Sequence, residues 1–174
     1  MKKDLGFWQF AGFTFAVALG TVLHFLFDWT GVYAVAPFSA VNESTWEHMK
    51  ILFFPMLIFA CVQYPFFRKE FSGFWWIKLI GIVVGTVAIP VLFYTYNGAF
   101  GKTPDWLNIL FFFLSAGVAY FVECRLFVKN FRCSNAWIAV LLLVGVAAAF
   151  SVFTFYPPQL PLFQDPITGK YGLV

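Results

Sequence analysis

GFWQFAGFTFAVALGTVLHFLF, residues 6–27, contains no Asp, Glu, Lys or Arg, and His24 is its one imidazole. As a helix rising 1.5 Å per residue the run is about 33 Å long, which matches a hydrocarbon core of about 30 Å. Inside lipid the backbone has no partner but itself, so an apolar run of this length reads as a transmembrane helix. A signal peptide is the competing reading, because Lys2 and Lys3 precede the run and Ala34-Val35-Ala36 resembles a small-residue cleavage site. The apolar stretch is too long for that, and Pro37 would follow the cut, so we expect an uncleaved anchor.

Four runs of similar length follow at 46–67, 74–96, 106–127 and 136–156. With 61% hydrophobic and only 11% charged residues in 174 positions, the chain has too little polar surface to coat a soluble globule. The expected fold is therefore all-α: a polytopic membrane helix bundle of five transmembrane helices, one integral membrane domain over 1–174. Pro55 and Pro90 lie inside the second and third runs and should kink those helices without ending them. After the fifth run the prolines of residues 157–174 preclude further helix. Leu160, Leu162 and Phe163 are too apolar for a solvated tail, which should fold back across one mouth of the bundle as a lid or a packed terminus.

Charge gives an orientation. Of eleven Lys and Arg residues, Lys2, Lys3, Arg68, Lys69, Lys78, Arg125, Lys129 and Arg132 fall on the side of the N-terminus. The positive-inside rule then puts the N-terminus in the cytoplasm and the C-terminus and its tail outside. Glu123 and Arg125, about 28 Å along the fourth run, belong to the cytoplasmic interface, where an ion pair or snorkelling is expected. The basic residues are too scattered for a nucleic-acid partner; the expected partners are the lipid bilayer and a lipid or small-molecule substrate, with oligomerisation open. Cys61, Cys124 and Cys133 form no C-x-x-C pair and read as reduced thiols.

The densest polar stretch is Asn42-Glu43-Ser44-Thr45-Trp46-Glu47-His48-Met49-Lys50, at the start of the second run. Ser44-x-x-Glu47 has the spacing of a capping box, and a carboxylate there also suits the helix dipole. Capping leaves His48 and Lys50 unexplained. Counting helical rise puts His24 and Asp28 of the first run at the same depth as Glu43, Glu47 and His48, near the outer boundary of the hydrocarbon. Imidazole with carboxylate is the ligand class of zinc and related divalent ions. His24, Asp28, Glu47 and His48 are the candidate metal ligands, and Glu43 is the candidate catalytic base. On one helix Glu43 and Glu47 would share a face at i, i+4, as would His24 and Asp28. Lys50, Tyr96 and Asn97, at the same level, are the candidate substrate-binding residues; for Lys50 the alternatives are snorkelling or pairing with a neighbouring glutamate. A haem between His24 and His48 is disfavoured by the surrounding carboxylates.

The run from Phe38 to Lys50, followed by Leu52-Phe53-Phe54-Pro55, resembles a family of small bacterial multi-pass membrane proteins with no assigned function. His24 followed by Asp28-Trp29, Tyr94-Thr95-Tyr96, and the segment Pro161-Leu162-Phe163-Gln164-Asp165-Pro166 are similar to the same family. The resemblance implies a bacterial plasma-membrane setting and carries no catalytic residue. Three function classes stay open: a metal-dependent hydrolase or transferase acting on a lipid or envelope precursor, a solute or ion carrier, and a structural subunit of a membrane complex. The carrier needs a polar midplane, and the middle of each run lacks charge.

Overall fold

In the computed structural model, which describes residues 4–173, five long helices follow one another: α1 Leu5–Thr30, α2 Thr45–Phe67, α3 Phe74–Phe100, α4 Asp105–Val128 and α5 Ala136–Phe155. All five are long and apolar enough to cross a membrane. Their bounds follow the apolar runs closely. The largest difference is at α3, which continues one turn past Tyr96 through Asn97-Gly98-Ala99-Phe100, a segment with no proline to stop it. It ends at Gly101, whose φ of 85° turns the chain away while its N–H still caps the Asn97 carbonyl. Helices α2 and α3 run unbroken through Pro55, Pro65 and Pro90.

Helix α2 is the centre of the bundle, packed against α1, α3 and α5. Ile51, Leu52, Phe53, Met56 and Ala60 on it are almost wholly inaccessible. Lipid tails are as apolar as leucine, so helices here associate through close backbone approach at small residues. A Cβ on Gly85 of α3 would lie 2.7 Å from the Ala119 Cβ of α4, and one on Gly20 of α1 would lie 2.9 Å from the Ile51 carbonyl of α2. Phe7, Phe10, Phe121, Trp137 and Leu141 point outward, as lipid-facing side chains should.

Two connections matter for the site. Residues 31–44, with a 3-10 turn at Tyr33–Val35 that we label η1, fold back on the end of α1. There the Ser39 hydroxyl donates to the Leu23 carbonyl (2.6 Å) and accepts from the Phe27 N–H (2.9 Å). A side chain is thus inserted into the helix's own hydrogen-bond ladder around His24. The tail returns over the start of α2: Phe163 in the 3-10 turn Pro161–Phe163 (η2) packs its ring 4.7 Å from Trp46, the Asn42 amide donates to the Gly172 carbonyl (2.9 Å), and the Leu173 N–H donates to the Thr154 carbonyl (3.1 Å). It is a packed terminus.

Glu123 departs from its interfacial expectation. It is fully buried and pairs with the equally buried Lys78 at 2.6 Å. The reason is Gly81 on α3: a Cβ there would fall 2.3 Å from the Glu123 Cγ, so the missing side chain is the space that the carboxylate fills.

Candidate functional site

The end of α1, the residues before α2 and the first turn of α2 bring His24, Glu43 and His48 together. One ligand atom from each lies within 4.8 Å of the other two. The Glu43 Oε2 is 3.7 Å from the His24 Nε2 and 3.6 Å from the His48 Nε2. Both separations are too long for a hydrogen bond. They lie close to the roughly 3.4 Å that separates neighbouring ligands of one tetrahedral zinc, given bonds of about 2.0–2.2 Å. The imidazoles meet edge to face with centroids 5.2 Å apart, and the His24 ring stacks on Phe25 at 4.7 Å. The two imidazoles are about three-quarters covered, while 41% of the Glu43 side chain is exposed, so the group opens on its carboxylate side.

The tautomer of His48 follows from its surroundings. Its Nδ1 lies 2.9 Å from the Ser44 carbonyl, which can only accept, so Nδ1 carries a proton and the opposite nitrogen, Nε2, faces Glu43. A backbone carbonyl holding the far nitrogen is a common support for a metal-binding histidine. The His24 Nδ1 is buried and makes no hydrogen bond among the described residues.

Glu43 is not on the helix, in contrast to the i, i+4 expectation, because Ser44 is the N-cap and α2 begins at Thr45. Only half of the expected capping box forms: the Ser44 hydroxyl accepts from the Glu47 N–H at 3.4 Å, but the Glu47 carboxylate reaches back to the Val41 N–H. The Ser44 N–H donates instead to Asn42 Oδ1. Glu43 is thereby bracketed by Asn42, which also holds the tail at Gly172, and by the capped Ser44.

Glu47 and Lys50, expected as metal ligand and substrate cation, lie away from this group. They form a buried ion pair of their own, one turn apart on α2. The three Lys50 ammonium protons go to the Glu47 carboxylate, the Ala36 carbonyl (2.8 Å) and the Thr154 hydroxyl (2.7 Å), so none is free for a substrate. The pair ties residues 31–44, α2 and α5 together. Its geometry suits structure, because a buried pair is tolerable only when its remaining hydrogen-bonding capacity is met.

Asp28 is exposed, one turn beyond His24, and outside the three-residue group. Tyr96 packs on Phe100 and Phe111, and Asn97 Oδ1 accepts from both the N–H and the hydroxyl of Thr103 at 2.8 Å, which closes the turn between α3 and α4. The three cysteines are free, as expected. Sequence reading did not single out Ser39 and Thr154, and gave Asn42 no role beyond its place in the polar stretch. Thr154 had a signal, one of two hydroxyl residues, with Ser151, late in an apolar span. Ser39 had none, because its partners are backbone atoms twelve and sixteen residues away.

A cavity of about 200 Å³ lies between the residues before α2 and the tail, lined by Val41, Asn42, Asp165, Thr168, Lys170 and Gly172. Asp165 shapes the tail side of it, accepting from the Ile167 N–H and the Thr168 hydroxyl. Lys170 is exposed there. No curated protein and no solved structure matches the chain. A family model does match, over residues 2–173, and the chain therefore belongs to the family of unknown function DUF6512.

Proposed function

We propose that His24, Glu43 and His48 bind a divalent cation, zinc in the first instance, at the outer face of a bacterial plasma membrane, and that the protein is a metal-dependent hydrolase or transferase acting on a lipid or envelope precursor. The observation that carries this reading is the convergence of two imidazoles and one carboxylate at separations suited to a shared ion, with the His48 Nε2 aimed by the bond from its Nδ1 to the Ser44 carbonyl. Two histidines and a glutamate are a ligand set of hydrolytic zinc sites, and three protein ligands leave a position for water or substrate. A bound ion would supply a nucleophilic hydroxide near neutral pH. Glu43 would ligate through Oε2, and its Oε1 would take up the proton from the attacking water. The exposed carboxylate side would admit substrate from the headgroup level, and Lys170, which lines the same cavity as Asn42, is an exposed cation that could meet an anionic headgroup.

The orientation belongs to the same proposal and rests on the basic residues that cluster at the end of the bundle away from His24. The test is elemental analysis of protein purified in detergent from metal-replete medium. About one zinc or similar ion per chain in the wild type, lost in both His24→Ala and His48→Ala, supports the site. Metal-free wild type, or metal retained in both variants, overturns it. With the site established, release of headgroups from a total lipid extract, absent in His48→Ala, tests the hydrolase reading.

A further inference from the structure

At the opposite end of the bundle from His24, helices α1 to α4 enclose a second polar group. Its centre is the Lys78–Glu123 pair, with both side chains fully buried. The Lys78 ammonium sits 5.7–5.9 Å from the ring centroids of Phe59, Phe74, Tyr120 and Phe127, an aromatic box that suits a cation. Of its three protons one goes to Glu123 Oε2. The other carboxylate oxygen, Glu123 Oε1, makes no hydrogen bond among the described residues. The same is true of the Tyr120 hydroxyl and of both amide atoms of Gln63 and Gln9, all of them buried.

Helix register brings these groups to one level. A Cβ at Gly12 would lie 2.6 Å from the rings of both Phe59 and Tyr120, so α1, α2 and α4 meet there. Gln9 is one turn before Gly12 on α1, and Gln63 is one turn after Phe59 on α2. Because α1 and α2 run in opposite directions, both displacements lead towards the same end of the bundle. Contact of the Trp8 ring with Phe59, Phe66 and Phe67 fixes that register. Tyr120 and Glu123 are one turn apart on α4, and the Lys78 ammonium already touches the Phe59 and Tyr120 rings.

Buried polar groups in native proteins almost always have partners, and leaving six such atoms unpaired together would cost as much as a domain's whole net stability. The chemistry says what meets them. The pair is neutral overall, and the unpaired atoms are a mixture of donors and acceptors: two amide groups, a phenol, a carboxylate oxygen and the spare ammonium protons. A charged guest would unbalance this set, and an apolar one would satisfy none of it. A small neutral molecule that both donates and accepts fits. We propose that Gln9, Gln63, Lys78, Tyr120 and Glu123 form an internal water-binding site, separate from the metal centre, in which bound water completes the hydrogen bonding of the ion pair and links α1 to α4.

X-ray radiolysis labelling of the wild-type protein in lipid nanodiscs, read by mass spectrometry, tests this, since radicals formed from bound water oxidise the side chains beside it even where bulk solvent does not reach. The samples are treated with chelator, so the outcome is independent of the metal reading. Tyr120 and Phe59, themselves buried, are expected to be oxidised at least about tenfold faster than Phe53, a fully buried ring in the apolar core, because ordered water is a local radical source. A Tyr120 rate no higher than that of Phe53 overturns the proposal. In Gln63→Leu the Tyr120 rate should fall at least about threefold with Phe53 unchanged, because one polar wall of the site is gone. An unchanged Tyr120 rate in that variant also overturns it.

Discussion

The Nδ1–H of His48 donates to the Ser44 carbonyl at 2.9 Å, and this one bond aims the opposite nitrogen at Glu43. The residue that starts α2 thus also orients a candidate ligand, one turn along the same helix.

Ligand identity is the sharpest consequence. Glu43→Gln should reduce the occupancy of zinc at limiting concentration by at least about tenfold, because an amide is a far poorer ligand than a carboxylate. Asp28→Asn should leave it within about twofold, since Asp28 lies outside the group. Competition against a chromophoric chelator measures both. Equal losses in the two variants would return Asp28 to the ligand set.

Acidity should release the ion. Each imidazole must be neutral to ligate, so metal binding displaces protons and lower pH opposes it. Apparent affinity is expected to fall as pH drops through the imidazole range, with up to about two protons taken up per ion released. Calorimetry in two buffers of different ionisation enthalpy, run at a pH low enough to protonate free imidazoles, counts those protons, and a count of zero there would exclude both histidines as ligands.

The Glu47–Lys50 pair should behave as structure. Lys50→Met leaves a buried, uncompensated carboxylate and is expected to destabilise the fold by about 3–5 kcal/mol. The double variant Glu47→Leu/Lys50→Met should recover most of that loss, because replacing a whole buried pair by apolar side chains is often nearly neutral. Unfolding in mixed detergent gives the cycle. A double variant no better than Lys50→Met would mean that the Thr154 and Ala36 contacts, and not the charge balance, dominate.

Ser39 should support His24. Ser39→Ala removes a buried hydroxyl that completes the Leu23 and Phe27 backbone bonds, a loss of about 1–3 kcal/mol. The end of α1 that carries His24 should shift with it and weaken zinc binding by about 10- to 100-fold, the range seen when support of a metal ligand is lost. An unchanged metal affinity in folded Ser39→Ala would confine Ser39 to stability.

Five spans and their bounds were legible in the chain itself, because lipid leaves a backbone no option but the continuous helix and an apolar run has to be long enough to cross. Helical rise from the ends of adjacent spans also brought His24, Glu43 and His48 to one depth, since depth in a membrane is a one-dimensional quantity that a residue count can supply. Rotation about the helix axis and the path of a non-helical connection are not. Only packing decided that Glu47 turns inward to Lys50 while Glu43, one residue ahead of the N-cap, turns towards the histidines. Packing also brought Glu123 to Lys78 across 45 residues, through the space that Gly81 leaves, and put the Ser39 hydroxyl into the ladder of α1. Those choices depend on which helix faces which, and that is set by the fit of side chains from distant parts of the chain, a property that no local spacing encodes.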